Sequence, residues 1–321
     1  MTLLDVRDLR THFLTRAGAV KAVDGVSFAL ERGEILGLVG ESGSGKSVTG
    51  FSLIGLVDPP GRVVGGSIRF DGQELVGLAT ARMRELRGRR IAMVFQDPGA
   101  TLNPVLTIGQ QMVLAVQAHR RLPERDARAL AAERLTRLGI PEARARLDAY
   151  PHEFSGGMRQ RVAIAMALLH EPDLIIADEP TTALDVSIQA QILVEMRALA
   201  QESGTALIWI SHDLAAVAAV ADRIMVMYAG RIVETGPVRA TLAAPHHPYT
   251  RGLLDSLPAT AEPGARLRQI PGNTPALLSL PPGCPFAPRC GYADTACMID
   301  PPVIEQEGRM VRCHHPLETT P

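Results

Sequence analysis

The chain has 321 residues, 46% of them hydrophobic, and its formal net charge at pH 7 is −1. This length predicts about two domains with a sizeable core, and the balanced charge excludes a general attraction to nucleic acid. Residues 1–13 lack the apolar core of a signal peptide, and the longest apolar stretches, 162–169 and 214–221, are too short to span a membrane. We therefore expect a cytoplasmic protein that partners hold at a membrane.

The first predicted buried strand is the apolar run 35–39, and a glycine-rich loop of the form G-x-x-x-x-G-K-S follows it. The loop consists of Gly40, Glu41, Ser42, Gly43, Ser44, Gly45, Lys46 and Ser47. Backbone N–H groups of such a loop surround an anion, and the helix that starts inside it adds partial positive charge. Lys46 would contact the outer phosphates of a nucleotide, and Ser47 would bind Mg²⁺. The alternative is a turn that merely joins strand to helix, and the Lys-Ser pair favours the nucleotide site.

An antiparallel portion is predicted next, because the strand at 67–70 ends in a turn at Asp71-Gly72. The arginine-rich stretch 82–90 also contains Glu85, which favours a solvated helix face over a nucleic-acid patch.

After a further apolar run at 91–95, the pattern turns helical. Residues 107–119 and 125–138 are rich in good helix formers and are bounded by prolines, so we predict two helices there.

A second helix start is predicted at Ser155, which precedes two glycines and residues that repeat at helical spacing. The motif consists of Ser155, Gly156, Gly157 and Met158. Its N-terminus would be a second anion site, and because one nucleotide does not need two such helix ends from one chain, it would complete a site elsewhere. An ordinary capped helix is the alternative.

A central parallel strand is predicted at 174–177, and it delivers Asp178 and Glu179 at its carboxyl end. Asp178 would hold Mg²⁺ through its water shell, while Glu179 would orient and polarise the attacking water of a phosphoryl transfer. Two adjacent carboxylates at such a buried place need a cation nearby. A solvated pair at the start of a loop is the alternative.

Beyond Val233, recurring prolines break regular structure, so we predict a small appended domain, with a linker of no function as the alternative. All four cysteines lie in this tail. They are Cys284, Cys290, Cys297 and Cys313. In a cytoplasmic protein four thiolates favour a metal over disulfides, the lack of C-x-x-C weakens a zinc ribbon, and buried free thiols are the alternative.

The motifs in this order resemble those of the ATP-binding subunit of ABC transporters. The loop matches Walker A, the Ser155 motif matches the signature, and Asp178 with Glu179 matches Walker B. Gln96 matches the Q-loop glutamine that contacts Mg²⁺ or water, and His212, after a predicted strand at 206–210, matches the switch histidine that contacts the γ-phosphate.

The resemblance implies which residues act. The catalytic residues are Glu179, His212 and Gln96, and the ligands of Mg²⁺ are Ser47, Gln96 and Asp178. Ala183-Leu184-Asp185 matches the D-loop, so Asp185 belongs to the site. In the family two subunits close head to tail, so that the signature acts in trans on ATP held by the partner's Walker A loop.

The implied fold class is α/β, the P-loop NTPase fold of ABC ATPases. It combines a RecA-like mixed sheet, an antiparallel β subdomain and a helical subdomain with a small C-terminal extension. We place the nucleotide-binding domain at residues 1–235, its helical subdomain at 97–172 and the extension at 236–321. The family usually stacks an aromatic residue on adenine; Phe13 is the nearest candidate, and the core side of the first strand is its alternative role.

The tail segment 246–251 resembles the extension of ATPases in oligopeptide, dipeptide and nickel importers. Those subunits carry a similar G-C-P-F-x-P-R-C array, which implies a 4Fe-4S cluster, with Zn²⁺ as the alternative. We expect the cluster to hold the tail together or to sense redox state, because it lies far from the motifs in sequence.

The resemblance also implies partners: a second ATPase subunit, related rather than identical, two transmembrane permease subunits and an extracytoplasmic solute-binding protein. The chain would sit peripherally at the cytoplasmic face of the membrane. The alternatives are a soluble ABC ATPase uncoupled from transport, a nickel or other solute importer, and an exporter. The sequence leaves the cargo open.

Overall fold

A computed structural model gives the architecture of the chain and describes residues 2–181, 184–257 and 268–318. It divides the chain into two compact units. We call residues 31–35 and 77–210 the helical unit, and residues 2–30, 36–76 and 211–318 the loop unit. In the described residues, no helix combines the length and apolar character that crossing a membrane requires.

The loop unit contains the first five strands and one helix between them. They are β1 (Thr2–Thr15), β2 (Gly18–Glu31), β3 (Ile35–Val39), α1 (Lys46–Leu53), β4 (Gly61–Phe70) and β5 (Gln73–Glu74). Strands β2, β1, β4 and β5 form one sheet in that order, and β1 pairs antiparallel with β4, as β4 does with β5. The predicted antiparallel portion at 67–70 is therefore the end of β4.

The C-terminal part of the loop unit adds strands and helices after residue 211. They are α9 (Leu214–Val220), β9 (Arg223–Tyr228), β10 (Arg231–Pro237), α10 (Val238–Ala243), α11 (Pro248–Asp255), β11 (Val303–Gln306) and β12 (Arg309–Arg312), with 3-10 turns at Ala287–Arg289 and Thr295–Met298. Strand β3 runs parallel to β9, and β10, β12 and β11 continue the sheet in antiparallel pairs. The tail thus extends a mixed sheet.

Strand β3 is buried along its whole length, which is why its sequence is continuously apolar. A Cβ on Gly37 would lie 2.2 Å from Cγ1 of Val217, so α9 packs directly on this strand. The close packing fixes the end of β3, where the glycine-rich loop begins.

Among its described residues, the helical unit contains three parallel strands and seven helices. They are α2 (Thr80–Leu86), β6 (Ile91–Val94), α3 (Pro98–Thr101), α4 (Ile108–Gln117), α5 (Glu124–Arg137), α6 (Ala143–Arg146), α7 (Gly156–Ala167), β7 (Leu174–Asp178), α8 (Val186–Ser203) and β8 (Ala206–Ser211), with a 3-10 turn at Pro151–Glu153. Strand β7 lies between β6 and β8. The strands predicted at 91–95, 174–177 and 206–210 and both predicted helices are confirmed.

These elements confirm the predicted α/β class. The predicted domain boundaries stay predictions: residue 235 falls inside β10, whose Glu234 and Thr235 pair with Val311 and Met310 of β12. Residues 97–172 contain α3 to α7, the segment predicted as the helical subdomain.

Candidate functional site

The glycine-rich loop lies between β3 and α1 in the loop unit, and three of its glycines adopt backbone conformations that other residues rarely adopt. Gly40, Gly43 and Gly45 have φ of +154°, +78° and +107°. A Cβ on Gly40 would lie 2.2 Å from the carbonyl oxygen of Met227, and one on Gly45 would lie 2.1 Å from that of Ala22. Backbone approaches as close as these require glycine.

Lys46 begins helix α1 and folds back over the loop. Its ammonium donates to the carbonyl oxygens of Gly40 at 2.8 Å and Glu41 at 3.0 Å. The hydroxyl of Ser44 is buried and has no hydrogen-bond partner among the described residues. The helix N-cap is Gly45, which has no side chain to cap the first turn. A buried hydroxyl, a lysine and an N-terminus of this kind fit a phosphate group.

Glu41 connects this loop to the tail, a contact that the sequence analysis missed. Its carboxylate accepts two bonds from the Arg289 guanidinium, at 2.6 and 2.9 Å, and one from the Thr274 hydroxyl at 3.1 Å. Its backbone N–H donates to the hydroxyl of Tyr249 at 2.8 Å. Burial raises the pKa of Glu41, but the Arg289 hydrogen bonds and charge outweigh it and lower the pKa below its usual value.

Tyr249 is itself fixed by its surroundings in the loop unit. The rings of Tyr228 and Phe286 lie 4.6 and 5.3 Å from its ring, centroid to centroid. Helix α11 begins just before it, where Nδ1 of His247 accepts the Tyr249 N–H at 3.0 Å. Burial lowers the pKa of His247 to about 3, so the ring is neutral and can act as an acceptor. Tyr249 and His247 both belong to the tail segment 246–251, which resembles the extension of ATPases in peptide and nickel importers.

The two carboxylates predicted at the end of β7 lie in the helical unit. Asp178 is the buried last residue of the strand. Glu179 has φ of +46°, a strained conformation for a residue other than glycine, and its N–H donates to the carbonyl oxygen of Ile210 at 2.9 Å. The amide of Gln96 donates to the Glu179 carboxylate at 3.1 Å. The structure therefore brings two predicted catalytic residues together.

The signature motif begins helix α7 as predicted. The hydroxyl of Ser155 accepts the N–H of Met158 at 3.3 Å, and both Ser155 and Gly156 are exposed. A Cβ on Gly156 would meet nothing within 4 Å, whereas one on Gly157 would lie 2.9 Å from Cγ2 of Ile188. This helix end is thus supported on one side and open on the other.

Ile188 belongs to α8, whose N-cap is Asp185 of the predicted D-loop. The Asp185 carboxylate accepts the N–H of Ile188 at 2.9 Å and the hydroxyl of Ser187 at 2.7 Å, and these hydrogen bonds lower its pKa. The signature and the D-loop are therefore neighbours in the helical unit. Ala183, the first residue of the predicted D-loop, lies outside the described residues.

His212 and Phe13 both lie in the loop unit. His212 is exposed and directly follows β8, and Asp213 after it caps α9 through the N–H of Ala215 at 2.8 Å. Phe13 pairs with Gly61 across β1 and β4, and a Cβ on Gly61 would lie 2.6 Å from the Phe13 ring. This close packing favours the strand role of Phe13 over adenine stacking.

The four tail cysteines lie in one buried region of the loop unit. Cys284, Cys297 and Cys313 are buried and Cys290 is half-buried. Burial raises the pKa of Cys284, Cys290 and Cys313, the last to about 11, and interactions with neighbouring thiols contribute to each rise. Without a cation these thiols stay neutral.

Backbone N–H groups surround the sulfur atoms. Tyr292 donates to the sulfur of Cys290 at 3.4 Å and His315 to that of Cys313 at 3.3 Å. A second candidate metal group overlaps this region, because ligand atoms of Asp294, Cys297 and His315 all lie within 4.8 Å of one another. The donor chemistry fits a thiolate-bound metal, and the two ligand sets share Cys297.

Two family models match the chain in succession. The one described as ABC transporter matches residues 23–182, and the one described as oligopeptide/dipeptide transporter, C-terminal region, matches residues 233–297. The second match covers most of the tail, including the Tyr249 and Arg289 positions.

Curated relatives match over nearly the whole length. A putative peptide import ATP-binding protein of Brucella abortus (strain 2308) is 51% identical over 99% of this chain and 96% of its own. The oligopeptide transport ATP-binding protein OppD of Escherichia coli (strain K12) is 49% identical over 98% and 94%. The dipeptide transport ATP-binding protein DppD of the same organism is 46% identical over 99% and 98%.

Solved structures share the fold. The ATP-binding cassette MJ0796, in a dimeric post-hydrolysis state bound to ADP and Pi, matches with a TM-score of 0.67 and 26% identity, covering 74% of this chain and 99% of that one. The cbiO1 protein of Clostridium perfringens, part of the ABC transporter complex cbiONQ, matches with a TM-score of 0.64 and 29% identity over 75% and 91%.

Proposed function

Because this chain belongs to the ABC transporter family as an ATP-binding subunit, we propose that it hydrolyses ATP to power the import of peptides. The observation that carries this function is the full-length match, tail included, to relatives named for peptide import. The preformed loop between β3 and α1 supports the binding of the nucleotide phosphates.

In this proposal, Gly40 to Ser47 hold ATP, and Lys46 contacts its outer phosphates. Ser47, Gln96 and Asp178 would hold Mg²⁺, which would neutralise part of the phosphate charge. Glu179 orients and polarises the attacking water, and the Gln96 amide that donates to its carboxylate holds that carboxylate in place. His212 contacts the γ-phosphate.

A second ATPase subunit completes the site. The end of α7, where Ser155 and Gly156 are exposed, would cap ATP held by the partner's loop. Helix α8, next to the D-loop, exposes Val186 and Val194 by 82% and 69%, an apolar strip that fits a protein interface. The methionine of the signature resembles the member that pairs with a related subunit.

Two permease subunits would receive the energy of hydrolysis. Two apolar side chains of the helical unit are exposed, Val105 by 75% and Leu114 by 60%, which supports docking of membrane subunits on this unit. An extracytoplasmic solute-binding protein would select the peptide. The chain would then lie peripherally at the cytoplasmic face of the membrane.

For the tail we propose a 4Fe-4S cluster on Cys284, Cys290, Cys297 and Cys313. Their burial and the N–H groups aimed at their sulfur atoms support a site for thiolates, whose negative charge such donors stabilise. Zinc at Asp294, Cys297 and His315 is the second candidate, favoured by the closeness of those ligand atoms.

Purification without oxygen, followed by metal and acid-labile sulfide analysis, separates the two cofactors. We expect a brown protein whose iron is lost in Cys290→Ser and kept in Asp294→Ala. A colourless protein containing zinc that is lost in Asp294→Ala and kept in Cys290→Ser would decide for zinc.

The transport function is tested in vesicles that contain two permease subunits that co-purify with this chain, with the binding protein outside. Peptide-loaded binding protein should stimulate ATP hydrolysis and drive labelled peptide into the lumen against its gradient. ATP hydrolysis that depends on nickel or another solute, and not on peptide, would assign a different cargo. Outward transport, or hydrolysis unaffected by membrane partners, would reject import altogether.

A further inference from the structure

The ion pair between Glu41 and Arg289 places a tail residue against the phosphate loop. The two residues are 248 positions apart, and the guanidinium meets both carboxylate oxygens, at 2.6 and 2.9 Å. The Arg289 side chain is only 5% exposed and that of Glu41 is 28% exposed. This is the bidentate arrangement in which an arginine both neutralises a carboxylate and fixes its orientation.

A carboxylate at this position needs such a partner. Glu41 is the second residue of a loop that surrounds an anion, and its own carbonyl oxygen lies 3.0 Å from the Lys46 ammonium. A carboxylate free to turn toward the loop interior would repel a triphosphate and compete with it for Lys46. In the structure, the Glu41 carboxylate instead accepts hydrogen bonds from Arg289 and from the Thr274 hydroxyl.

Arg289 is itself held rigidly by the loop unit. Its Nε donates to the carbonyl oxygen of Pro271 at 2.9 Å, and a terminal nitrogen lies 3.3 Å from the hydroxyl of Tyr228. The guanidinium carbon lies 5.8 Å from the centre of the Tyr228 ring. A lysine, which offers a single charged nitrogen, can replace only part of the contacts of this planar, forked cation.

We propose that Arg289 is a positioning residue of the ATP site: it holds the Glu41 carboxylate away from the bound triphosphate and neutralises its charge. This inference rests on the proposed binding of ATP by the loop. It gives the peptide-importer tail a direct part in nucleotide affinity, through one ion pair and the Tyr249 hydroxyl that holds the Glu41 backbone.

The test measures the dissociation constant of MgATP by calorimetry on the purified full-length chain, with the unfolding temperature recorded for each variant. Arg289→Ala should weaken binding about tenfold or more, because it leaves the carboxylate unpaired beside the phosphates. Arg289→Lys should weaken it less. Adding Glu41→Gln to either variant should restore affinity to within about threefold of the wild type, since the repelling charge is gone.

Arg309→Ala is the matched control. Arg309 is another tail arginine that pairs with a buried carboxylate: it donates to Glu234 at 3.0 Å and to the carbonyl oxygen of Ala244 at 2.6 Å. It should lower the unfolding temperature while changing the MgATP affinity by less than about twofold.

Three results would overturn the proposal: unchanged affinity in Arg289→Ala, equal loss in Arg309→Ala, or no recovery when Glu41→Gln is added. If Arg289→Ala does not fold, Arg289→Lys with and without Glu41→Gln decides by the same criterion. A wild-type chain that binds no MgATP would instead reject the proposed function, so the two failures are distinguishable.

Discussion

The glycine-rich loop and the signature motif each contain the glycines at the N-terminus of a helix, α1 and α7, yet their surroundings differ. The loop is enclosed by its own unit: the carbonyl oxygens of Ala22 and Met227 lie against Gly45 and Gly40, and the Gly230 N–H donates to Ser44. At the signature a Cβ on Gly156 would meet nothing within 4 Å. The loop is thus packed into its own unit, whereas the signature leaves a helix end open, as expected for the proposed contact with ATP held by a second subunit.

The largest expected effect comes from a variant that slows ATP hydrolysis but leaves the glycine-rich loop and the signature motif unchanged. Glu179→Gln keeps the side-chain shape but loses the charge that polarises water, so we expect the rate of ATP hydrolysis to fall about 10²- to 10⁴-fold. Binding of ATP should persist, and the subunits should remain associated as an ATP-bound dimer. Phosphate release and gel filtration with MgATP measure the two effects.

Glu202→Gln is the control for that variant. Glu202 lies in α8 of the same unit and pairs with Arg137 at 2.6 Å on the surface. Its turnover should match the wild type. Normal turnover in Glu179→Gln would remove Glu179 from the assigned role.

The second test compares the two glycines directly. Gly45→Ala places a Cβ against the Ala22 carbonyl at a φ of +107°, so we expect a loss of about 3–5 kcal/mol in the free energy of unfolding, together with loss of ATP binding. Gly156→Ala should change the stability of the isolated chain by less than about 0.5 kcal/mol. In the assembled importer it should still lower turnover, because the added methyl group would face the partner's nucleotide.

Chemical denaturation of the isolated chain and ATPase assays of the assembled importer measure the two variants. Equal destabilisation by both alanines would mean that the signature end is enclosed as tightly as the loop. Full turnover in Gly156→Ala would show that the helix end does not approach the nucleotide.

The sequence predicted most of the elements because their patterns are local. The buried run Ile35–Val39 is a strand over the predicted residues, and helices α4 and α5 begin and end within two residues of the predicted bounds. The Ser155 cap was also predictable, since Ser, Gly and the helical spacing lie within one turn.

The sequence could not predict the partners of Glu41. Tyr249 and Arg289 are 208 and 248 residues away, and no local pattern links such positions. The available signal was indirect: both residues belong to the tail segments that resemble peptide importers. The left-handed conformation of Glu179 was equally hidden, because a carboxylate after a buried strand does not specify a positive φ.

His247 of the tail should make the free energy of unfolding sensitive to acid. The pKa of His247 is about 3 in the folded chain, below the ordinary 6.5, so the unfolded chain binds the extra proton between these values. The contribution of His247 to the free energy of unfolding is therefore fully present above pH 6.5 and is lost as the pH drops toward 3. We expect His247 to account for a loss of about 2 kcal/mol between pH 5.5 and 4.

Urea unfolding as a function of pH measures this loss, and His247→Asn is the comparison variant. An asparagine side chain can still cap α11 through the Tyr249 N–H but does not titrate, so its stability should fall less steeply over the same range. Identical slopes for the two proteins would show that a different group controls the acid sensitivity.

The smallest effect separates the structural role of Ser155 from its role toward a ligand. Ser155→Ala removes the hydroxyl that caps α7, and Thr107→Ala removes the corresponding cap of α4, where Thr107 accepts the Gln110 N–H at 3.2 Å. Each should lower the free energy of unfolding by about 1 kcal/mol. Only Ser155→Ala should also reduce ATP turnover in the assembled importer, because only that helix end is proposed to face a nucleotide. If both variants lose turnover in proportion to stability, Ser155 is a helix cap and nothing more, and the open end of α7 has some other use.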